Sequence, residues 1–137
     1  MFAEYNYIHY ESRSIVTVIF NSRIENEKDF DDFLLQWINL YNNKKSFTFI
    51  FDTSKVGYVP ILYCLKMSAF ISNLKKQKHQ FLDKSIILIN SNIVKHMIDI
   101  IFMFQSPIAP VYITNNIDEI DMILYDKPTS ATIILPC

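Results

Sequence analysis

The stretch Phe47-Thr48-Phe49-Ile50-Phe51-Asp52-Thr53-Ser54-Lys55-Val56-Gly57 decides how the rest of the chain is read. Its first five residues place Phe47, Phe49 and Phe51 on one face of a strand and leave the other face largely apolar through Ile50. A strand apolar on both faces belongs near the middle of a covered sheet. The polar run that follows turns the chain, and it carries the only glycine of the protein, Gly57. Pro60 is expected inside a first helical turn, where its missing N–H leaves no bond unmade. A helix then runs through Cys64, Leu65, Ala69 and Leu74 to a basic end at Lys75, Lys76 and Lys78. α/β proteins commonly keep functional groups on such a strand–loop–helix unit.

Reading outward from this unit, Ser14 to Phe20 is β-branched and aromatic and reads as a strand. Phe2 to Tyr10 reads as a second strand, joined to it by the turn Glu11-Ser12-Arg13 in an antiparallel hairpin. The first strand is polar and Tyr-rich, which suits a sheet edge. Asn26 or Ser22 caps a helix whose inward stripe is Phe30, Phe33, Leu34, Trp37, Leu40 and Tyr41. Downstream, Gln77 to Asp83 reads as a polar connector and Ser85 to Asn90 as a strand apolar on both faces. Ser91 or Asn92 caps a helix with the stripe Ile93, Met97, Ile100, Ile101 and Phe104, widened by Val94 and Ile98. Ala109 to Thr114 is a short strand. Asn115 or Asn116 caps a helix over 117–125, and Thr129 to Leu135 is a candidate last strand. The order β-β-α-β-α-β-α-β-α predicts one α/β domain over residues 1–137. Its sheet is expected to be mixed but mostly parallel, with about five strands and four helices.

A chain of 137 residues, half of them hydrophobic and with net charge −1, is long enough for a real core and is not a disordered polymer. Near-zero charge gives no electrostatic case for nucleic acid. It does leave solubility open to self-association. The two cysteines, Cys64 and Cys137, are expected to be free thiols in a reducing, cytoplasmic setting. No signal peptide is expected, because Glu4 and Asn6 interrupt the start. The apolar run Ile98 to Phe104 contains Asp99 and is too short to span a membrane. The wealth of Ile, Asn, Lys, Phe and Tyr suits an AT-rich genome, including that of a large DNA virus.

Few residues speak for chemistry. Phosphate-cradling loops need several glycines, so one glycine excludes the dinucleotide and P-loop patterns. His9, His79 and His96 are scattered; His96 with Asp99 is a conceivable acid–base pair, and a solvated helix face is the plainer reading. Asp29, Asp31 and Asp32 are explained by a helix N-terminus, which favours acids, without a metal. Lys75, Lys76, Lys78 and His79 form a small basic patch of the kind that meets acidic lipid headgroups or a nucleic acid, and a helix C-terminus complementing its own dipole is the plainer reading. No spacing suits zinc, and no Gly-x-Ser-x-Gly elbow is present. No cofactor and no metal are expected.

The element order, together with the run Phe49 to Val56 followed by a helix, resembles the STAS domains of bacterial anti-sigma factor antagonists and sulfate transporter tails. Asp52, Ser54 and Val56 match that family's Asp-x-Ser-x-Val-like run at the end of the third strand. Val111-Tyr112-Ile113 and the short helix after it are similar to the family's ending. The likeness spans about Ser14 to Leu124. The resemblance implies a non-enzymatic scaffold that binds another protein. The family's regulated members carry a phosphorylatable Ser or Thr at the start of the next helix, whereas this chain has Pro60, Ile61 and Leu62 there. Switching at the usual position is therefore not expected. The core of the lipid-binding CRAL-TRIO domains is also similar, which implies a small-molecule or lipid carrier as the alternative; those domains are usually longer and enclose a deep apolar pocket, which a chain of this length is not expected to build.

The expected binding residues are Asp52, Ser54, Tyr58 and Pro60 in the loop after the third strand. Tyr5, Tyr7 and Tyr10 on the first strand are the expected interface for a homodimer or another protein. Nucleic acid is not an expected partner.

Overall fold

A computed structural model describes residues 1–10 and 13–136, with the backbone alone for Tyr10. The expected turn residues Glu11 and Ser12 and the terminal thiol of Cys137 lie outside the described residues. β1 (Ala3–Tyr10) and β2 (Arg13–Phe20) form the expected antiparallel hairpin. The remaining elements are α1 (Glu27–Asn39), β3 (Phe47–Asp52), α2 (Ile61–Leu74), β4 (Leu82–Leu88), α3 (Asn92–Phe104), β5 (Val111–Thr114), α4 (Asp118–Leu124) and β6 (Thr132–Ile134). A 3-10 turn over Leu40–Asn43 closes α1. The strands make one six-stranded sheet in the order β1-β2-β3-β4-β5-β6. β2 to β5 run parallel, and β1 and β6 are antiparallel edges.

Because the parallel strands advance in one direction and crossovers are right-handed, α1, α2 and α3 fall on the same face. Their buried residues Phe33, Trp37, Leu74, Val94 and Ile98 join Val18, Phe49, Ile87 and Ile113 of the strands in one core. β3 stands inside the sheet, and Phe49 is fully buried among the rings of Trp37, Phe47 and Phe51, at centroid distances of 4.9, 5.1 and 4.6 Å. The short α4 covers the opposite face, where Ile123 and Leu124 pack on Ile15 and Ile86.

Local chemistry explains the helix starts. The Asn26 side chain accepts from Asp29 N at 2.9 Å, and Ser91 Oγ accepts from Val94 N at 3.3 Å. Asn116 Oδ1 accepts from Asp118 N at 3.0 Å at the entry to α4.

Three expectations need correction. Pro60 stands one residue before α2, with ψ 141°, so it precedes the first turn instead of forming it. β4 starts at Leu82, inside the expected connector, because a bulge opposite Phe47 and Thr48 lets Leu82 reach the core. α3 is rotated from the expected phase: Val94 and Ile98 are buried, whereas Ile93 and Phe104 are exposed.

Candidate functional site

The loop after β3 is held in place from both ends. Asp52 Oδ1 accepts from Ser54 N at 3.0 Å and from Ser54 Oγ at 2.6 Å, an Asx turn that reverses the chain directly after the strand. Thr53 donates twice to the Leu88 carbonyl, through N at 3.1 Å and Oγ1 at 2.7 Å, which ties the loop to β4. Val56 N donates to Thr53 O, and Gly57 N to Ser22 O at 2.9 Å. Gly57 does not have a positive φ, and a Cβ there would meet Ser22 O at 3.5 Å, an ordinary contact. The chain's single glycine is thus not required by strain.

This anchoring presents an apolar surface to solvent. Tyr58 is 73% exposed. Behind it, α2 is apolar nearly all round. Cys64, Ser68, Ile71 and Leu74 face inward, while Ile61, Leu62 and Leu65 on the outer side remain exposed. A helix apolar on every side is normally buried on every side. Beside α2 lies α3, joined to it where Ser68 Oγ donates to the Ile101 carbonyl at 2.8 Å, and it adds exposed Ile93, Met103 and Phe104. Pro60 is itself exposed, so three of the four expected loop residues border this surface or turn the chain toward it. Asp52 is the fourth, and its role is to hold Ser54.

The first strand divides differently. Tyr5 is turned inward: its ring lies near Phe33 and Phe49, and its hydroxyl donates to the Phe33 carbonyl at 2.7 Å. Burial, with Tyr7 adding to it, raises the Tyr5 phenol far above its ordinary range. Tyr7 is exposed and stacks on Tyr5, and Tyr10 continues the backbone pairing opposite Arg13. Tyr5 therefore belongs to the packing of α1 on β1 and is not a free edge ring.

Beneath the helices, a partly open pocket of about 160 Å³ lies between the sheet and α1, α2 and α3. The sheet contributes Phe51, Ile87 and Val111 to its lining, and the helices contribute Trp37, Met67 and Met97. Thr53 and Ser85 are the hydroxyl-bearing aliphatic residues of the wall, and among the described residues it contains no charged side chain. The Trp37 indole N–H, buried nearby, has no oxygen or nitrogen acceptor. Phe49 and Phe70 pack edge-on against that ring, at centroid distances of 4.9 and 5.1 Å.

The opposite face carries a group that the sequence reading passed over. Lys84 lies within β4, with its side chain 7% exposed. Its ammonium donates to the Ile123 carbonyl at 2.8 Å and to Asp126 Oδ1 at 2.8 Å, and it sits 5.8 Å from the centre of the Tyr112 ring. Arg13 donates to the neighbouring Leu124 carbonyl and lies over the Tyr125 ring at 5.3 Å. Two cations thus meet the last carbonyls of α4, where the helix dipole is negative. The bond from Lys84, with a smaller contribution from Arg13, holds the Asp126 carboxyl below its ordinary range. An extended sequence pattern with a lysine in its middle is the signal that marks such a residue.

The residues considered for catalysis are not drawn together. His9 on β1, His79 in the connector before β4 and His96 on α3 are exposed and apart in the fold. Asp99 pairs with Lys95 at 3.0 Å, Asp32 pairs with Lys28 at 3.0 Å, and Asp29 lies 3.8 Å from the terminal amine. Among the described residues no group of three His, Cys, Asp or Glu is placed to hold a metal ion. The sequential strand order also has no reversal, so there is no switch-point crevice of the kind that holds ligands in doubly wound sheets. No helix among the described residues is long and apolar enough to cross a membrane. The chain matches no family model, and no similar curated protein or solved structure is found.

Proposed function

We propose that this chain is a non-catalytic protein-interaction module on a STAS-like scaffold, working in the cytoplasm, and that its partner docks on the start of α2. The observation that carries the reading is the exposed apolar surface Tyr58, Ile61, Leu62 and Leu65, on a helix whose other side is already buried. Contiguous apolar surface of this kind marks interaction sites in soluble proteins. The scaffold is supported by the element order and by the Asp52, Ser54 and Val56 turn at the end of β3. With Ile61 and Leu62 at the helix start, the module binds without a phosphorylation switch at that position. The partner is another protein or a second copy of this chain.

The test is the double variant Ile61→Glu, Leu65→Glu. Both side chains already face water, so the unfolding midpoint is expected to stay close to the parent's. Light scattering reports self-association, and affinity capture from the native source reports a different partner. Loss of either association in the variant supports the reading. A parent protein that stays monomeric at high concentration and captures the same proteins as the variant overturns it.

A further inference from the structure

We infer that the space between the sheet and the helix layer is a binding site for a slender, uncharged hydrocarbon, of the class of a short alkyl or acyl chain. This goes beyond docking on the outer face of α2 and does not depend on it. Three features of the wall carry the inference. The first is its chemistry. Among the described residues the wall holds no Asp, Glu, Lys, Arg or His, so a charged group taken inside would lose its hydration without meeting a counter-ion. The second is its extent. The lining takes Phe30 from α1, Met67 from α2 and Ile101 from α3, so a guest borders all three helices of the layer. The third is adaptability. Met67 and Met97 supply unbranched, polarizable side chains that reshape around a guest.

Size narrows the class. The space measures about 160 Å³. An apolar cavity of ~150 Å³ stays dry and accepts benzene, so the capacity here is roughly a six-carbon guest. A diacyl lipid does not fit; a single short chain does. One end of the lining, Val56 and Val59, is half-exposed in the loop after β3, which leaves a route for a polar head to remain in water.

The experiment is a thermal-shift titration of the whole chain with n-alkanols from butanol to decanol. Saturable stabilisation is expected, with affinity rising about fourfold per added methylene and levelling off near six to eight carbons. Two cavity-filling variants, Ser85→Leu and Val94→Phe, accompany it. Each is expected to unfold cooperatively and to bind hexanol at least tenfold more weakly. Alkanols that only lower the melting temperature overturn the inference. So does an affinity that keeps climbing through decanol without levelling, because that is surface partitioning. Unchanged hexanol binding in both variants overturns it as well. If a variant fails to fold, the chain-length profile of the unaltered protein decides alone.

Discussion

Replacing Lys84 separates two roles that its side chain combines. The ammonium is removed from water, which costs several kcal/mol, and is repaid by two hydrogen bonds. The bond to the Ile123 carbonyl is charge-assisted and is worth about 1.5–3 kcal/mol. The bond to Asp126 is worth at most about 1 kcal/mol, because that carboxylate is 74% exposed and screened by solvent. The Ile123 carbonyl also accepts from Asp126 N at 3.2 Å, so it keeps a partner if the lysine is lost.

Lys84→Met retains the stem and removes the desolvation cost together with the bonds. Its stability is expected to fall within about 1 kcal/mol of the parent's. Lys84→Ala also removes the stem beneath α4 and is expected to cost about 2–4 kcal/mol. Urea unfolding of both variants, followed by far-UV circular dichroism, measures the difference. Equal losses for Met and Ala would refute the reasoning and show that the charge itself holds α4. Acid supplies a second check. Asp126 is depressed by its partner, so its contribution is present above the unfolded carboxyl pKa of about 3.9 and is lost as pH falls through the lower folded value. The parent should therefore lose slightly more stability than Lys84→Met below about pH 4.

Phe49→Ala removes a fully buried ring at the centre of the aromatic core and is expected to cost ~3–5 kcal/mol in chemical denaturation. A loss under ~1 kcal/mol would be incompatible with its place in the sheet. Tyr5→Phe deletes the hydroxyl bonded to the Phe33 carbonyl and should cost about 0.5–1.5 kcal/mol, whereas Tyr5→Glu should disrupt the packing of α1 on β1. A Tyr5→Glu protein as stable as its parent would place this ring on the surface after all.

The elements were legible because each carries its own local signal. Asn26 and Ser91 cap, Phe47 to Phe51 forms a doubly apolar strand, Ser14 to Phe20 and the terminal strand follow from β-branched runs, and the Tyr-rich first strand follows from its partial alternation. The phase of α3 was misread because Ile93, Ile100 and Phe104 are as apolar as the residues that are buried. Lys95, His96 and Asp99 form a narrow polar arc opposite Val94, Met97, Ile98 and Ile101, and weighting that arc gives the correct face. Tyr5 and Tyr7 are two residues apart on one strand and look alike in sequence; only the reach of α1 over β1 makes one of them core. The cavity had no local signal at all. It arises from how large side chains on three helices fail to fill the layer above the sheet, a property of packing that no single segment contains.

Strand order has a consequence for how the chain comes together. Each strand pairs with the strand that precedes it in the sequence, so no pairing waits for a distant segment. A chain emerging from the ribosome can close β1 on β2, then add β3 with α1, then β4 with α2, always onto an edge already made. Loops closed in this way stay short, which favours quick folding for a sheet protein. At every intermediate stage the growing parallel edge is unpaired, and β6, the three-residue antiparallel strand Thr132–Ile134, is what finally caps it.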